Sequence, residues 1–303
     1  MTAPLFLLAP PRSYTSLVNA MLGQHPQAFG LPELCLFNVE RLVELWVGVE
    51  GENAERGAMA RHGLMRAVAE IYGGEQTAAT VNMARAWASV REDWDTGRVF
   101  QEIVARIHPL VAVEKSPSYA VAVPRMRGLL KAFPDARFLH LIRHPIAQGK
   151  SVMAINEGAF TMRMNAFEIG EDFAVLEPQI AWHDVNQNIL DFLDEVPPAQ
   201  QMRMRGEDIM ADPRTHLGAI ARWAGLRDDD EAIEEMMHPE RSPFACFGPV
   251  TALFGNDPNF LGGPTFRPHK PKILPLDAEL PWRKDGRRLY PQVVEMANEF
   301  GYV

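Results

Sequence analysis

The stretch PLFLLAPPRSYTSLVNAML, residues 4–22, limits the possible folds of this chain more than any other. An unbroken apolar run, Leu5–Ala9, meets two prolines and a short polar turn, and TSLVNAMLGQHP then carries helical periodicity to a stop at Gly23 and Pro26. A short continuous apolar run reads as a strand buried on both faces, as in a parallel sheet. A strand–turn–helix at the start of such a sheet aims backbone N–H groups and the positive end of the helix dipole at one point, which makes an anion site. Arg12 adds a cation with fork geometry, and Ser13, Thr15 and Ser16 add hydroxyl donors. A plain strand-to-helix turn capped by Ser13 or Thr15 is the alternative. The Gly-Lys pair of a nucleotide triphosphatase loop is absent, and Tyr14 stands in the turn.

RFLHLI (Arg137–Ile142) reads as a second buried strand, with LVAVEK (Leu110–Lys115) and QMRMR (Gln201–Arg205) as further candidates. Amphipathic helical stretches lie between them: FNVERLVELWVG, AMARHGLMRAVAEIYGG, VPRMRGLLKAF and IAWHDVNQNILDFLDEV, with RRLYPQVVEMANEF near the end. Strands alternating with helices predict an α/β fold, a P-loop-like three-layer domain whose central parallel sheet is flanked by helices. Residues 1–303 read as one domain. The Gly- and Pro-rich stretch of about 247–277 lacks periodicity and reads as a flap folded over it.

With 39 acidic against 30 basic residues the net charge is −9, which argues against an obligate nucleic-acid binder. Two cysteines indicate no disulfide framework and fit a reducing, cytoplasmic setting. The N-terminus has no basic region before its apolar run, so no secretory signal is expected, and no run approaches the roughly 18 apolar residues of a membrane span.

Two further motifs carry chemistry. In HLIRHPIAQGKSV, Arg143 comes at the carboxyl end of a strand, where open α/β sheets bind ligands, and Ser151 follows eight residues later. In VEKSPSYA, Lys115 ends a strand before Ser-Pro-Ser, which as turn chemistry alone needs no ligand. Arg12, Lys115 and Arg143 on one sheet suffice to surround a polyanion. No Walker-type acid accompanies them, so no metal is expected. The nine histidines show no metal-ligand spacing. His140 reads as buried in its strand, His25 as a helix-end residue, His144 as loop structure or a ligand neighbour and His183 as exposed or interfacial, while His108 and His269 stay open on position alone. The methionines read as core filler, although TMRMNAF suits the wall of a lipophilic pocket.

Taken together these motifs resemble the sulfotransferases that use 3′-phosphoadenylyl sulfate (PAPS). PPRSYTSL…LGQHP looks like their 5′-phosphosulfate loop, RFLHLIRHPIAQGKSV like their 3′-phosphate motif, and EKSPSY like the lysine-bearing strand end of the carbohydrate and tyrosylprotein branches. RGEDIMADP parallels a YEDL…P segment once Gly206 is skipped. HPQAFGLPELCLF, EKSPSYA, WHDVNQNILDFL and FGNDPNF are similar to the sulfotransferase domains of olefin-forming polyketide synthases, which sulfate a β-hydroxyacyl group on an acyl carrier. The chain is expected to be a complete protein, so that either a carrier is supplied in trans or the substrate is something else.

The resemblance implies PAPS as co-substrate, gripped by the backbone of Arg12–Ser16 (Ser13 and Tyr14 included) and the side chains of Arg12, Thr15 and Ser16. It places Arg143 and Ser151 on the 3′-phosphate, with Arg267 or Lys270 of the flap as candidates to close over it. It makes Lys115 and Arg12 the groups that stabilise charge on the leaving phosphate, and Glu33 the base for the acceptor hydroxyl. A first-turn acid of the following helix is the other reading of Glu33. The expected acceptor is a small-molecule or acyl-carrier-bound alcohol, with no nucleic-acid or membrane partner and no reading of oligomeric state. A P-loop kinase or hydrolase and a non-catalytic binding module of the same fold stay open as alternatives. Tyr14 stands where the family usually has glycine. It requires negative φ or a strain of about 1–3 kcal/mol, or its ring walls the acceptor pocket.

Overall fold

A computed structural model describes residues 2–46, 53–155, 158–171, 173–272 and 274–302. The strands are β1 (Leu5–Leu8), β2 (Ala28–Gly30), β3 (Val111–Glu114), β4 (Arg137–Ile142), β5 (Phe167–Ile169), β6 (Ala174–Leu176) and β7 (Gln201–Arg205). The helices are α1 (Thr15–Gly23), α2 (Asn53–Gly73), α3 (Ala78–Ser89), α4 (Thr96–Ile107), α5 (Val123–Ala132), α6 (Pro145–Met153), α7 (Ala159–Arg163), α8 (Pro178–Leu193), α9 (Gly206–Ala211), α10 (Pro213–Ala224), α11 (Asp230–Met236), α12 (Pro258–Gly262) and α13 (Pro291–Glu299).

Five strands form an all-parallel sheet in the order β2-β3-β1-β4-β7, and β5 pairs antiparallel with β6 apart from it. The four-residue run of β1 is apolar throughout because both its faces are covered. Phe6 and Leu8 join the core built from α2, α3, α4, α5 and α8, with Leu64, Val81, Val99, Met126 and Val185. Leu5 and Leu7 face the opposite way, onto Val18 and Met21 of α1, Ile209 of α9 and Leu217 of α10. That is the three-layer α/β arrangement expected from the alternation of elements.

One helical expectation fails. FNVERLVELWVG forms two short 3-10 turns, Leu36–Asn38 and Leu42–Leu45, and its last two residues lie outside the described ones. The backbone N–H groups of Leu42 and Val43 donate to Trp94 and Glu92 carbonyls instead of to a helical turn, so tertiary pairing overrides the local periodicity. Between 247 and 277 the described chain carries the turn Val250–Ala252 and α12, with Ile273 outside the described residues. Among the described residues no helix is long and apolar enough to cross a membrane.

His140 of β4 is fully buried, and its Nε2 lies 2.9 Å from Asn186 Oδ1. Burial is the main cause that pulls its imidazole down to about 3. Between pH 6.5 and about 3 the unfolded chain therefore binds a proton that the folded chain refuses. Stability should fall on acidification across that window, by up to about 1.4 kcal/mol per pH unit for this group. We expect His140→Gln to lose less melting temperature than the parent between pH 7 and pH 5. Equal losses would remove His140 as the source.

Candidate active site

The carboxyl ends of β1, β2, β3, β4 and β7 lie along one edge of the sheet, and each feeds a residue of interest. Behind β1 the loop folds tightly, with Arg12 at φ 68° and Tyr14 at φ 63°, and α1 begins at Thr15. Neighbours hold the loop carbonyls. Arg143, directly after β4, donates to Arg12 O at 2.6 Å, and Gln148 of α6 donates to Pro11 O at 2.8 Å. Ser13 is fully buried, and its Oγ has no hydrogen-bond partner among the described residues; the same holds for Nε of Arg143. Donors of this kind suit an anion that brings its own acceptors.

Tyr14 takes the left-handed conformation, so of the alternatives left open a negative φ is excluded and the strained backbone is the one adopted. Its ring lies under the Arg143 guanidinium, 4.4 Å from ring centroid to Cζ. On another side the ring abuts Gly206, where an added Cβ would come within 2.5 Å of Tyr14 Cδ2. The glycine absent from the loop thus has a counterpart at the start of α9, which leaves space for the ring. The extra Gly206 in RGEDIMADP is accounted for by that contact. Two variants separate backbone strain from ring packing. Tyr14→Ala removes the ring and keeps the strain, whereas Tyr14→Gly removes both, so the alanine variant should be less stable by about 1–2 kcal/mol in chemical denaturation. Equal stability would mean that the loop relaxes when the ring is gone.

Lys115, directly after β3, is 1% exposed. Its ammonium donates to Ser16 Oγ at 2.7 Å and forms an ion pair with Glu33, which follows β2. Burying a lysine so deeply is costly unless it has such partners. Glu33 keeps 28% of its side chain exposed, so its carboxylate reaches the solvent side of the pair. Arg12 pairs with Asp257, just before α12, and its Nε donates to Ser151 Oγ at 3.2 Å. Burial first, and the neighbouring Arg143 second, pull the Arg12 guanidinium below its ordinary range. Two close cations favour an anion between them.

Two cavities meet at the loop. The larger, about 570 Å³, is lined by Glu33, Lys115 and Ser118 together with Phe160, Met164 and Phe254. The smaller, about 340 Å³, is lined by Tyr14, Arg143, Ser151, Phe260 and Thr265. Arg12, Thr15, Ser16 and Asp257 line both. Tyr14 therefore walls the cavity of Arg143 and Ser151, and not the one that holds Glu33 and Lys115. A groove of about 960 Å³ beside α4 and α5 contains none of the candidate site residues and touches the larger cavity only through Asn38 and Arg125.

The histidines stand apart from these cavities. His144 is buried against Tyr302 with its imidazole pulled down to about 4, chiefly by burial. His25 meets Arg227 O, His183 meets Asp184, His108 sits by Thr2 and His269 by Arg267 O. Neither Arg267 nor Lys270 lines either cavity, and both are exposed. Asp257 escaped the sequence reading because nothing in an aperiodic Gly/Pro stretch marks one acid above another.

A model of the sulfotransferase family matches residues 4–230. Among solved structures, the sulfotransferase domain from the curacin biosynthetic pathway superposes with a TM-score of 0.77 at 22% identity, covering 100% of this chain and 99% of that one. The sulfotransferase domain from the Synechococcus PCC 7002 olefin synthase gives 0.69 at 22% identity, over 100% and 97% of the two chains. At such identities these likenesses bear on the fold. An omega-hydroxy-beta-dihydromenaquinone-9 sulfotransferase of Mycobacterium tuberculosis is 25% identical over 134 residues, 43% of this chain and 32% of the relative. The match thus spans about a third of the curated relative's length.

Proposed function

The chain belongs to the sulfotransferase family, and from that premise we propose that it transfers a sulfuryl group from PAPS to the hydroxyl of a small-molecule or acyl-carrier-bound alcohol. The observation that carries this reading is the pair of cavities sharing Arg12, Thr15 and Ser16. A nucleotide on the Arg143 side and an alcohol on the Glu33 side would meet at those residues. PAPS supplies a sulfur whose bond to the bridging phosphate oxygen breaks as a bond to the acceptor oxygen forms, leaving adenosine 3′,5′-bisphosphate and a sulfate ester.

In this assignment Arg143 and Ser151 hold the 3′-phosphate, and Tyr14 steadies Arg143 from below. Arg12, Ser13, Thr15, Ser16 and the amino end of α1 hold the phosphosulfate. Glu33 takes the acceptor proton. Lys115, held by Ser16 and Glu33 beside the donor loop, offsets charge on the leaving oxygen, as a fixed cation can. Phe160, Met164 and Phe254 suit an acyl or other apolar chain beside the reacting hydroxyl, and a β-hydroxyacyl thioester is the leading acceptor. The segment of about 247–277 acts as a flap of a single domain, its Asp257 meeting Arg12 until the donor replaces it. The setting is cytoplasmic, in keeping with two free cysteines.

Calorimetric titration tests the donor side. Adenosine 3′,5′-bisphosphate should bind without metal, and Arg143→Ala should weaken it by roughly 10–100-fold, the range for losing a charged hydrogen-bond donor. Preference for ATP with magnesium would point to phosphoryl transfer instead.

A further inference from the structure

Three consecutive backbone N–H groups around Glu33 each have a named acceptor. Glu33 N donates to Gly255 O at 2.8 Å, Leu34 N to Glu114 Oε1 at 3.1 Å, and Cys35 N to Ser116 Oγ at 3.0 Å. Ser116 Oγ in turn donates to Glu114 Oε1 at 2.6 Å. Glu114 and Ser116 flank Lys115, and all three are 1% exposed. Side chains alternate along an extended chain, so Glu114 and Ser116 share one side and Lys115 takes the other. The two sides grip one short segment in different ways. Glu114 and Ser116 hold its backbone, while Lys115 holds the carboxylate of Glu33.

The remaining contacts on this segment are rigid. An added Cβ at Gly63 of α2 would lie 1.8 Å from Glu33 O, so the helix backbone presses directly on the carbonyl. Cys35 has φ 53°, a left-handed turn that a non-glycine residue keeps only when its surroundings enforce it. Neither Glu114 nor Ser116 lines the two cavities, and neither has a role in the transfer described above.

The geometry assigns Glu114 and Ser116 as positioning residues that clamp the 33–35 backbone and so fix Glu33 against Lys115 and the acceptor hydroxyl. This assignment rests on the reading of Glu33 as the base. Burial is the leading cause that lifts the Glu114 carboxyl to about 7, among Glu33, Lys115, Cys35 and Tyr119. Its Oε2 has no hydrogen-bond partner among the described residues, so a proton carried there leaves both contacts of Oε1 in place.

The test is a double-mutant cycle, read as kcat for transfer from PAPS to a 3-hydroxydecanoyl pantetheine thioester. Ser116→Ala should lower kcat roughly tenfold, the scale of a sub-ångström misplacement of a reacting group, with the KM for PAPS unchanged. Ser116→Thr, which retains the hydroxyl, should restore most of it. In a Glu33→Gln background Ser116→Ala should cost less than about twofold, because a residue acting through Glu33 has nothing left to act on. The same tenfold loss in both backgrounds, or no loss in the parent, would overturn the clamp while leaving the base assignment intact. An unchanged Glu33→Gln turnover would overturn the base assignment and the clamp with it. Amide exchange supplies a readout that needs no turnover. The Cys35 amide should exchange slowly in the parent and at least about tenfold faster in Ser116→Ala, whereas equal rates would refute the contact on which the clamp depends.

Discussion

Lys115→Ala should lower kcat by roughly 10²–10³, the loss that follows removal of one preorganised donor from a developing negative charge. The side chain sits in the larger cavity between Ser16 Oγ, which both cavities share, and the Glu33 carboxylate, so few other groups can take its place. Affinity for adenosine 3′,5′-bisphosphate should change far less, because that ligand is assigned to the side of Arg143 and Ser151. Single-turnover rates with saturating PAPS, set beside calorimetry of the bisphosphate, separate the two effects. A parental single-turnover rate would remove Lys115 from the transfer step. An equal loss in rate and in bisphosphate affinity would make it a donor-binding residue instead.

The second large effect is at Glu33. Glu33→Gln keeps the shape of the side chain and an acceptor for Lys115, but it cannot take a proton. Turnover should fall by about 10²–10⁴, with bisphosphate affinity at the parental value. A variant that turns over like the parent would end the assignment, and the histidines offer no ready substitute. His140 and His144 are buried with imidazoles pulled down to about 3 and about 4, and no histidine lines either cavity among the described residues.

The sheet was readable where both faces of a strand are buried. LFLL is apolar throughout, and RFLHLI is apolar but for Arg137 and His140, because alternate residues enter different cores. β2 was not readable, since AFG is three residues long and takes its place through α1, where Asn19 Nδ2 donates to Leu31 O at 2.8 Å. The segment after Cys35 has a helical pattern, but the N–H groups of Leu42 and Val43 pair with Trp94 and Glu92, a contact no local window contains.

The site divides in the same way. Arg12, Lys115 and Arg143 stand at or shortly after strand ends and Ser151 lies in α6, all in recognisable stretches, and the fold brings them to one edge. Asp257, Glu114 and Ser116 matter through partners more than 75 positions away in the chain. Glu114 meets Leu34, Ser116 meets Cys35, and Asp257 meets Arg12. Tyr14 was visible as an anomaly in its loop. Its resolution needed Gly206, nearly 200 residues on, whose missing side chain leaves space for the ring.

The most direct measurement of the central claim is mass spectrometry of the products formed from sulfur-labelled PAPS with a panel of 3-hydroxyacyl pantetheine thioesters and simple alcohols, run beside Lys115→Ala. The account predicts a sulfate ester of at least one hydroxyl acceptor, formed together with adenosine 3′,5′-bisphosphate, and almost none from the variant. Tight bisphosphate binding with no sulfated product from any acceptor would contradict it and leave a binding module on a sulfotransferase fold.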